Sequence, residues 1–418
     1  MNIIIDLKKR GLFYQCTKEK ELENILNKKK ISLYSGFDPT AESLHVGNLL
    51  LIITLKRFEM SGHKPIVLVG GATGLIGDPS GKKEERVLND EQTVEFYSSQ
   101  IKKQLERFFD FNKKAVLVNN YDWTKNLKVI DFLRGIGKHF SVGYMLAKES
   151  VKTRVNTTGI SFTEFSYMIL QAYDFLQLYK KYGCVLQVGG SDQWGNITAG
   201  VDLIRRVEGK EVFGLTTPLI TTKEGKKFGK TEKGAVWLDP NKTTPYQFYQ
   251  FWVNTSDDDV IKFLKYFTFL DIEKINELEE KLKKDPQKKE AQKVLAKEVT
   301  SFVHGKEAAL RAEKVSELLF YGDVKKLSPE DIKNALSDVP HLFVKKQEEK
   351  TIIDLLLELG AVKSKREARE LLSKKGIYVN GEIVLDNIKI SKNIALHNRY
   401  FIIKKGKKNY YLVELESV

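Results

Sequence analysis

Cysteine is nearly absent from this chain of 418 residues: only Cys16 and Cys184 occur. Two cysteines cannot build a disulfide framework or a cysteine metal site, and their scarcity points to a reducing compartment. Long apolar runs are missing too. The longest, around Leu49 to Leu55, falls far short of the ~20 residues that span a bilayer. The N-terminal MNIIIDLKKRGL turns polar without the apolar stretch and small-residue cleavage site of a signal peptide. The expected setting is the cytosol, with no membrane partner. Internal repeats and low-complexity tracts are also lacking. Two nucleotide fingerprints fail in the glycine-rich stretch Gly70 to Lys82. A P-loop would need glycine where Ile76 stands, and a dinucleotide fingerprint would need it where Ala72 stands.

What is present is a globular balance, 42% hydrophobic and 30% charged, with a formal charge of +14. A basic excess suits a polyanionic partner; a lysine-rich proteome would give the same number. The length suggests about two to four domains. Strand-length apolar runs lie at Ile31–Phe37, Pro65–Gly71, Ala115–Asn119, Val185–Gly189 and Val212–Ile220. Helical patterns separate them at Val46–Met60, Asp90–Phe109 and Asp192–Val207. Such alternation predicts an α/β domain with a mostly parallel, doubly wound sheet over residues 1–222. Its ligands belong outside the C-terminal ends of the strands. We expect a mobile loop at 223–243, a helical domain at 244–320, a linker at 321–350 and a small α/β module at 351–418. That last segment carries thirteen Lys or Arg against eight Asp or Glu, a net of +5.

Three stretches carry chemistry. After the first strand run come Tyr34, Gly36, Asp38 and Thr40, then His45-Val-Gly-Asn48. Thr40 and Ser43 are good helix-entry residues, and a helix N-terminus suits phosphate. Thr40 and His45 can donate to a phosphate, and Gly47 would let a flat purine lie close. After the second strand run, a glycine-rich loop bears Thr73, Asp78, Lys82 and Arg86. Those two cations suit a departing pyrophosphate. After the last strand run stands Gly225-Lys-Lys-Phe-Gly-Lys-Thr231, where Lys227 and Lys230 can clamp phosphates. Taken singly, these also fit a capped helix, a flexible loop and a basic surface turn.

Together they resemble class I aminoacyl-tRNA synthetases. His45-Val-Gly-Asn48 looks like the first signature of that family, with Asn48 in place of its second histidine, and Lys227-Phe-Gly-Lys-Thr231 looks like the second. Phe228-Gly229, Tyr34, the stretch Phe165–Asp174 and the stretch Gln187–Asn196 are similar to the bacterial tyrosyl subgroup. The tryptophanyl subgroup and a synthetase-derived, non-catalytic RNA-binding protein are the alternatives; Tyr34, Asp174 and the basic tail argue against the first, and both retained signatures against the second. The resemblance implies L-tyrosine, ATP with Mg²⁺, and tRNA(Tyr) as partners, no metal held by the protein itself, and a homodimer through the catalytic domains around Phe132 to Gly159. It implies that Tyr167, Gln171 and Asp78 hold the substrate ammonium and that Tyr34 and Asp174 bond the phenol. It implies Asp192 at the ribose, Gly36, Asp38 and Gly190 with the nucleotide, and Gln193 at the carboxylate or carbonyl. Independently, Tyr167, Gln171 and Asp174 fall at i, i+4 and i+7, one face of a helix.

The C-terminal segment is similar to an S4 RNA-binding module through Ser364-Lys-Arg-Glu-Ala-Arg369 and Gly376–Gly381. Lys363, Lys365, Arg366, Arg369, Lys374 and Lys375 are its candidate RNA contacts, with another basic turn at Lys404–Lys408.

Overall fold

The computed structural model of the chain describes residues 2–80, 84–85, 87–221, 228–231, 234–320, 322–345, 348–406 and 409–416. They form two units. One comprises Met1–Thr243 with Trp252–Val303, the other Thr244–Phe251 with His304–Val418.

The first unit is built on six strands: β1 (Gln15–Cys16), β2 (Ser32–Phe37), β3 (Lys64–Val69), β4 (Val116–Asn119), β5 (Cys184–Gly190) and β6 (Phe213–Thr217). Their order is β1-β6-β5-β2-β3-β4. All neighbours run parallel except β1, which pairs antiparallel with β6. Five of the strands and the three crossover helices are those that alternation predicts. β1 was not expected; two residues carry no periodicity, and it is defined by its partner. Parallel strands buried on both faces need apolar runs, and Leu33, Ile66, Val67, Leu186 and Leu215 are all buried. From the centre the chain winds β2-β3-β4 one way and β5-β6 the other. The switch point between β2 and β5 leaves a crevice at their C-terminal ends.

Helix Val46–Met60 returns the chain from β2 to β3. Ten of its fifteen residues are buried, so it is apolar nearly all round. Its N-cap is His45, rather than Thr40 or Ser43 as expected from residue type. The Ser43 hydroxyl instead meets Gln104 Oε1 at 3.3 Å. Helix Phe162–Tyr182 packs Met168, Ala172, Phe175 and Leu176 into the core with Leu68 and Tyr34.

In the second unit, β9 (His341–Val344), β10 (Ile377–Val379), β11 (Glu382–Ile383), β12 (Tyr400–Lys405) and β13 (Asn409–Leu415) form a sheet in the order β11-β10-β12-β13-β9. The short β7 (Lys230–Thr231) and β8 (Gly234–Ala235) belong to the first unit. Alternation along β12 sends Phe401 and Ile403 to a core with helices Ile352–Glu358 and Lys365–Ser373. Tyr400 and Ile402 face a second core with Ile332 and Leu336. The segment 321–350, expected as a linker, is therefore built into this unit over its described residues. Its β9 pairs parallel with β13, and Ser328 and Asp331 form a capping box. Its prolines and charges punctuate short elements rather than mark free chain.

Candidate active site

A cavity of about 600 Å³ opens at the switch point. It collects Tyr34, Gly36, Asp38, Thr40, His45, Gly47, Asn48, Asp78, Tyr167, Gln171, Asp174, Gly190, Asp192 and Gln193. These come from five separate stretches of chain, and every one was singled out in the sequence. Lys82, Arg86 and Lys227 lie outside the described residues, as do the side chains of Lys230 and Thr231 and the turn at Lys407–Lys408.

At the closed end, Tyr34 is 1% exposed and its hydroxyl has no hydrogen-bond partner among the described residues. Gln187 Oε1, at the paired position on β5, is buried and likewise has no partner among the described residues. Burial, and then the nearby Asp174, push the Tyr34 phenol well above its usual range. Asp174 is 3% exposed. Its Oδ2 accepts from Asn120 Nδ2 at 2.9 Å and its Oδ1 from Trp123 Nε1 at 2.8 Å. Burial drives its carboxyl up to about 7, although both hydrogen bonds favour the charged form. Asn120 is itself fixed, because its Oδ1 accepts from Ala72 N and its Nδ2 also reaches Thr73. Neither Asn120 nor Trp123 was singled out in the sequence. Asn120 directly follows β4, so the strand-end rule that locates ligand crevices would have flagged it.

Midway along the cavity the polar side chains bond one another. Tyr167 donates to Asp38 Oδ2 at 2.6 Å, and Thr73 to Asp38 Oδ1 at 2.7 Å. Gln193 Nε2 donates to Asp78 Oδ2 at 2.6 Å. Asn196 Nδ2 reaches both Gln171 Oε1 and Gln193 Oε1. Asp38, expected with the nucleotide, is thus tied to Tyr167, which is expected with the amino acid. Gly70 makes the junction possible: a Cβ there would sit 1.9 Å from Asp38 Oδ1.

At the open end, His45 and Asn48 form a reciprocal cap. His45 Nδ1 accepts from Gly47 N at 2.9 Å, and Asn48 Oδ1 accepts from His45 N at 3.0 Å. With Nδ1 occupied, the neutral ring carries its proton on Nε2, where it can donate. A Cβ on Gly47 would lie 2.6 Å from His45 Cε1, so the ring's turn back onto the helix already requires glycine here. The second signature lies beside the first. Val236 N donates to Gly229 O, and Val46 N donates to Val236 O. Phe228 is held among Phe263, Trp252 and Phe267, with centroids 4.3, 5.5 and 6.0 Å away.

Four carboxylates, from Asp38, Asp78, Asp174 and Asp192, line the cavity, and no Lys or Arg does so among the described residues. In a chain of net charge +14, this is a locally acidic pocket. Such a lining suits a cationic group.

A family model described as tRNA synthetases class I (W and Y) matches residues 26–321. The chain belongs to the class I tRNA synthetases of the tryptophan and tyrosine group. A second model, the tyrosine–tRNA ligase SYY-like C-terminal domain, matches residues 331–413. Within the group, the chain is 55% identical to the tyrosine–tRNA ligase of Bacillus caldotenax over 418 residues, 99% of each chain. It is 54% identical to tyrosine–tRNA ligase 1 of Bacillus subtilis (strain 168), again over 99% of each. The crystal structure of a C-terminally truncated mitochondrial tyrosyl-tRNA synthetase from Aspergillus nidulans is similar with a TM-score of 0.70 and 32% identity. That likeness covers 76% of this chain and 94% of that one.

In the second unit, Lys363, Lys365, Arg366, Arg369, Lys374 and Lys375 are all exposed. They lie on and beside helix Lys365–Ser373, whose Ala368 and Leu372 turn inward. Among the described residues, no helix is long and apolar enough to cross a membrane.

Proposed function

We propose that the chain is a tyrosine–tRNA ligase that activates L-tyrosine with ATP and passes it to tRNA(Tyr). The observation that carries the choice of amino acid is the closed end of the cavity, where Tyr34 and Asp174 are both buried. A phenol can donate to Asp174 and accept from Tyr34. Phenylalanine would leave the Tyr34 hydroxyl unpaired and would give Asp174 no donor; tyrosyl-tRNA synthetase is itself the standard worked example of such rejection, at roughly 10⁵-fold.

The substrate ammonium fits among Asp78, Tyr167 and Gln171, with Gln193 beside the carboxylate. Asp192 and Gly190 suit the ribose, and Gly36, Gly47 and Asn48 the rest of the nucleotide. The tyrosine carboxylate, already ionised at neutral pH, attacks the α-phosphorus. An O–P bond forms, the bond to the bridging oxygen breaks, and pyrophosphate leaves with the electron pair. Thr40 and His45 Nε2 donate to the oxygens that gain charge. Lys82, Arg86, Lys227, Lys230 and Thr231 meet the leaving group. The acidic lining supports this division, since no Lys or Arg lines the cavity among the described residues. A terminal ribose hydroxyl of the tRNA then attacks the carbonyl and releases AMP. Among the described residues no three His, Cys, Asp or Glu side chains converge on a metal position. Mg²⁺ would arrive on the triphosphate, and no step above is routed through it.

The basic face of helix Lys365–Ser373 suits the tRNA backbone. The exposed Leu133, Val142, Leu146 and Val155, within the stretch Phe132 to Gly159, suit the docking of a second copy of the chain, and the enzyme would work in the cytosol. Exchange of labelled pyrophosphate into ATP tests the reading. Tyrosine should support it, with tryptophan and phenylalanine inactive at equal concentration. Exchange with none of the three would leave an RNA-binding role, and exchange with tryptophan would move the chain to the sister group.

A further inference from the structure

A second cavity, of about 590 Å³, opens between helix Glu91–Leu105 and the C-terminal ends of β3 and β4. Its volume falls within the range of small-molecule pockets, roughly 300–1,000 Å³. It shares no lining residue with the cavity at the switch point. Two adjacent asparagines divide between the two. Asn119 lines the second cavity, and its Oδ1 accepts from Gly71 N at 3.2 Å and from Tyr121 N at 2.9 Å. Asn120 turns instead to Asp174 of the first.

The helix contributes Glu91, Glu95, Ser98 and Lys102 to the lining. They fall at i, i+4, i+7 and i+11, a single stripe. At its acidic end the Tyr121 hydroxyl, from the opposite wall, donates to Glu91, and Asp122 follows Tyr121. Lys102 stands about 10 Å further along the helix than Glu95. Lys125 Nζ lies 5.9 Å from the centroid of the Tyr121 ring. Three carboxylates and two ammonium groups thus line the cavity, a net of −1. One of the first helix amides, which would draw an anion, is already taken: Thr93 N donates to Asp90 Oδ1 at 2.7 Å. The floor is apolar, with Val69, Val94 and Val118 buried. Ser98 is 8% exposed, and its hydroxyl has no hydrogen-bond partner among the described residues. Its neighbour Ser99 bonds back to Phe96 O at 2.7 Å. A buried hydroxyl left without a partner is uncommon, and this one borders a cavity.

We propose that this cavity is a second small-molecule site, which takes a single primary ammonium carried on a short apolar body. The ammonium has three donors, and Glu95, Asp122 and the Ser98 hydroxyl oxygen are the acceptors offered to them. One positive charge cancels the net charge of the lining. The apolar body lies against Val94, Leu117 and Val118, where it displaces water from the floor.

n-Hexylamine, protonated at pH 7, is the probe, and hexanoate is its counterpart of opposite charge. Each is titrated against the full chain by ligand-observed saturation-transfer NMR. Hexylamine should bind saturably and at least about tenfold more tightly than hexanoate. Its affinity should fall about fivefold in Ser98→Ala, the worth of one hydrogen bond, and about fivefold in the double variant Glu95→Gln with Asp122→Asn. Saturating tyrosine should not displace it. No saturable binding overturns the proposal, as does hexanoate binding equally well. Wild-type affinity in either folded variant overturns it too. Complete displacement by tyrosine would put the probe in the first cavity and has the same effect. Thermal melts check folding; should a variant not fold, the amine and carboxylate compared on the wild-type chain decide. None of these measurements needs adenylate formation, so failure of that activity leaves the test standing.

Discussion

Asp174 gives a measurable pH dependence of stability. Its folded carboxyl is raised from the ordinary 3.8 to about 7 by burial. The native chain therefore holds this proton more tightly than the unfolded chain does. Stability from this group is full below about pH 4 and declines as pH rises towards 7, where the buried carboxyl ionises. At roughly 1.4 kcal/mol per pKa unit the decline is about 4 kcal/mol. His63 works in the opposite sense: burial, then Lys30, lower its imidazole from 6.5 to about 4, so its neutral form stabilises the fold as pH rises through that window. A difference measurement removes it. Denaturation midpoints of wild type and Asp174→Asn, taken from pH 4 to 8, should converge at the acid end. The variant should gain on the wild type as pH rises, although its amide must set one N–H against Asn120 or Trp123. Tyrosine affinity should be lost in the variant at every pH. A wild-type minus variant difference that stays flat from pH 4 to 8 refutes the assignment of a raised carboxyl.

Tyr34→Phe should weaken tyrosine affinity by about fivefold, the worth of one neutral hydrogen bond. Its melting temperature should not fall, because the hydroxyl removed has no partner among the described residues; equilibrium dialysis and calorimetry check the two halves. Gly70→Ala should cost about 2 kcal/mol of stability by overpacking and reduce tyrosine affinity, since the new methyl would meet Asp38 Oδ1 at 1.9 Å and Thr73 Oγ1 at 2.4 Å. Unchanged affinity in that variant would show that Asp38 and Thr73 do not set the site. Phe228→Ala should slow adenylate formation at least about tenfold by freeing the second signature from its aromatic anchor. Stopped-flow rates measure this, and the tyrosine Kd should stay constant.

Much of the first unit was legible because parallel strands and their crossover helices each have their own hydrophobic period. Helix Val46–Met60 matches its expected bounds at both ends. Its cap did not, because His45 is a poor cap by residue type and succeeds only through the missing Cβ of Gly47. Every described candidate residue of the cavity lines it, since polar side chains at the ends of apolar strands have few other reasons to be there. The supports behind them were not legible. Asn120 and Trp123 act by holding Asp174. Such roles depend on three-dimensional register and leave no spacing to read. The 321–350 segment misled for a related reason: β9 has four residues and is defined by its partner β13.

The middle of the cavity holds bonds that a substrate must displace. Gln193 is tied to Asp78, Tyr167 to Asp38 and Asn196 to Gln171. An amino acid entering there competes with the protein for its own acceptors, so each new contact is worth only its excess over the one it replaces. A simple phenol, lacking ammonium and carboxylate, would leave those three ties intact and engage only Tyr34 and Asp174. The affinity gap between such a phenol and tyrosine should therefore be narrower than the number of extra contacts suggests, with recognition of the ring dominating how tightly the amino acid is held.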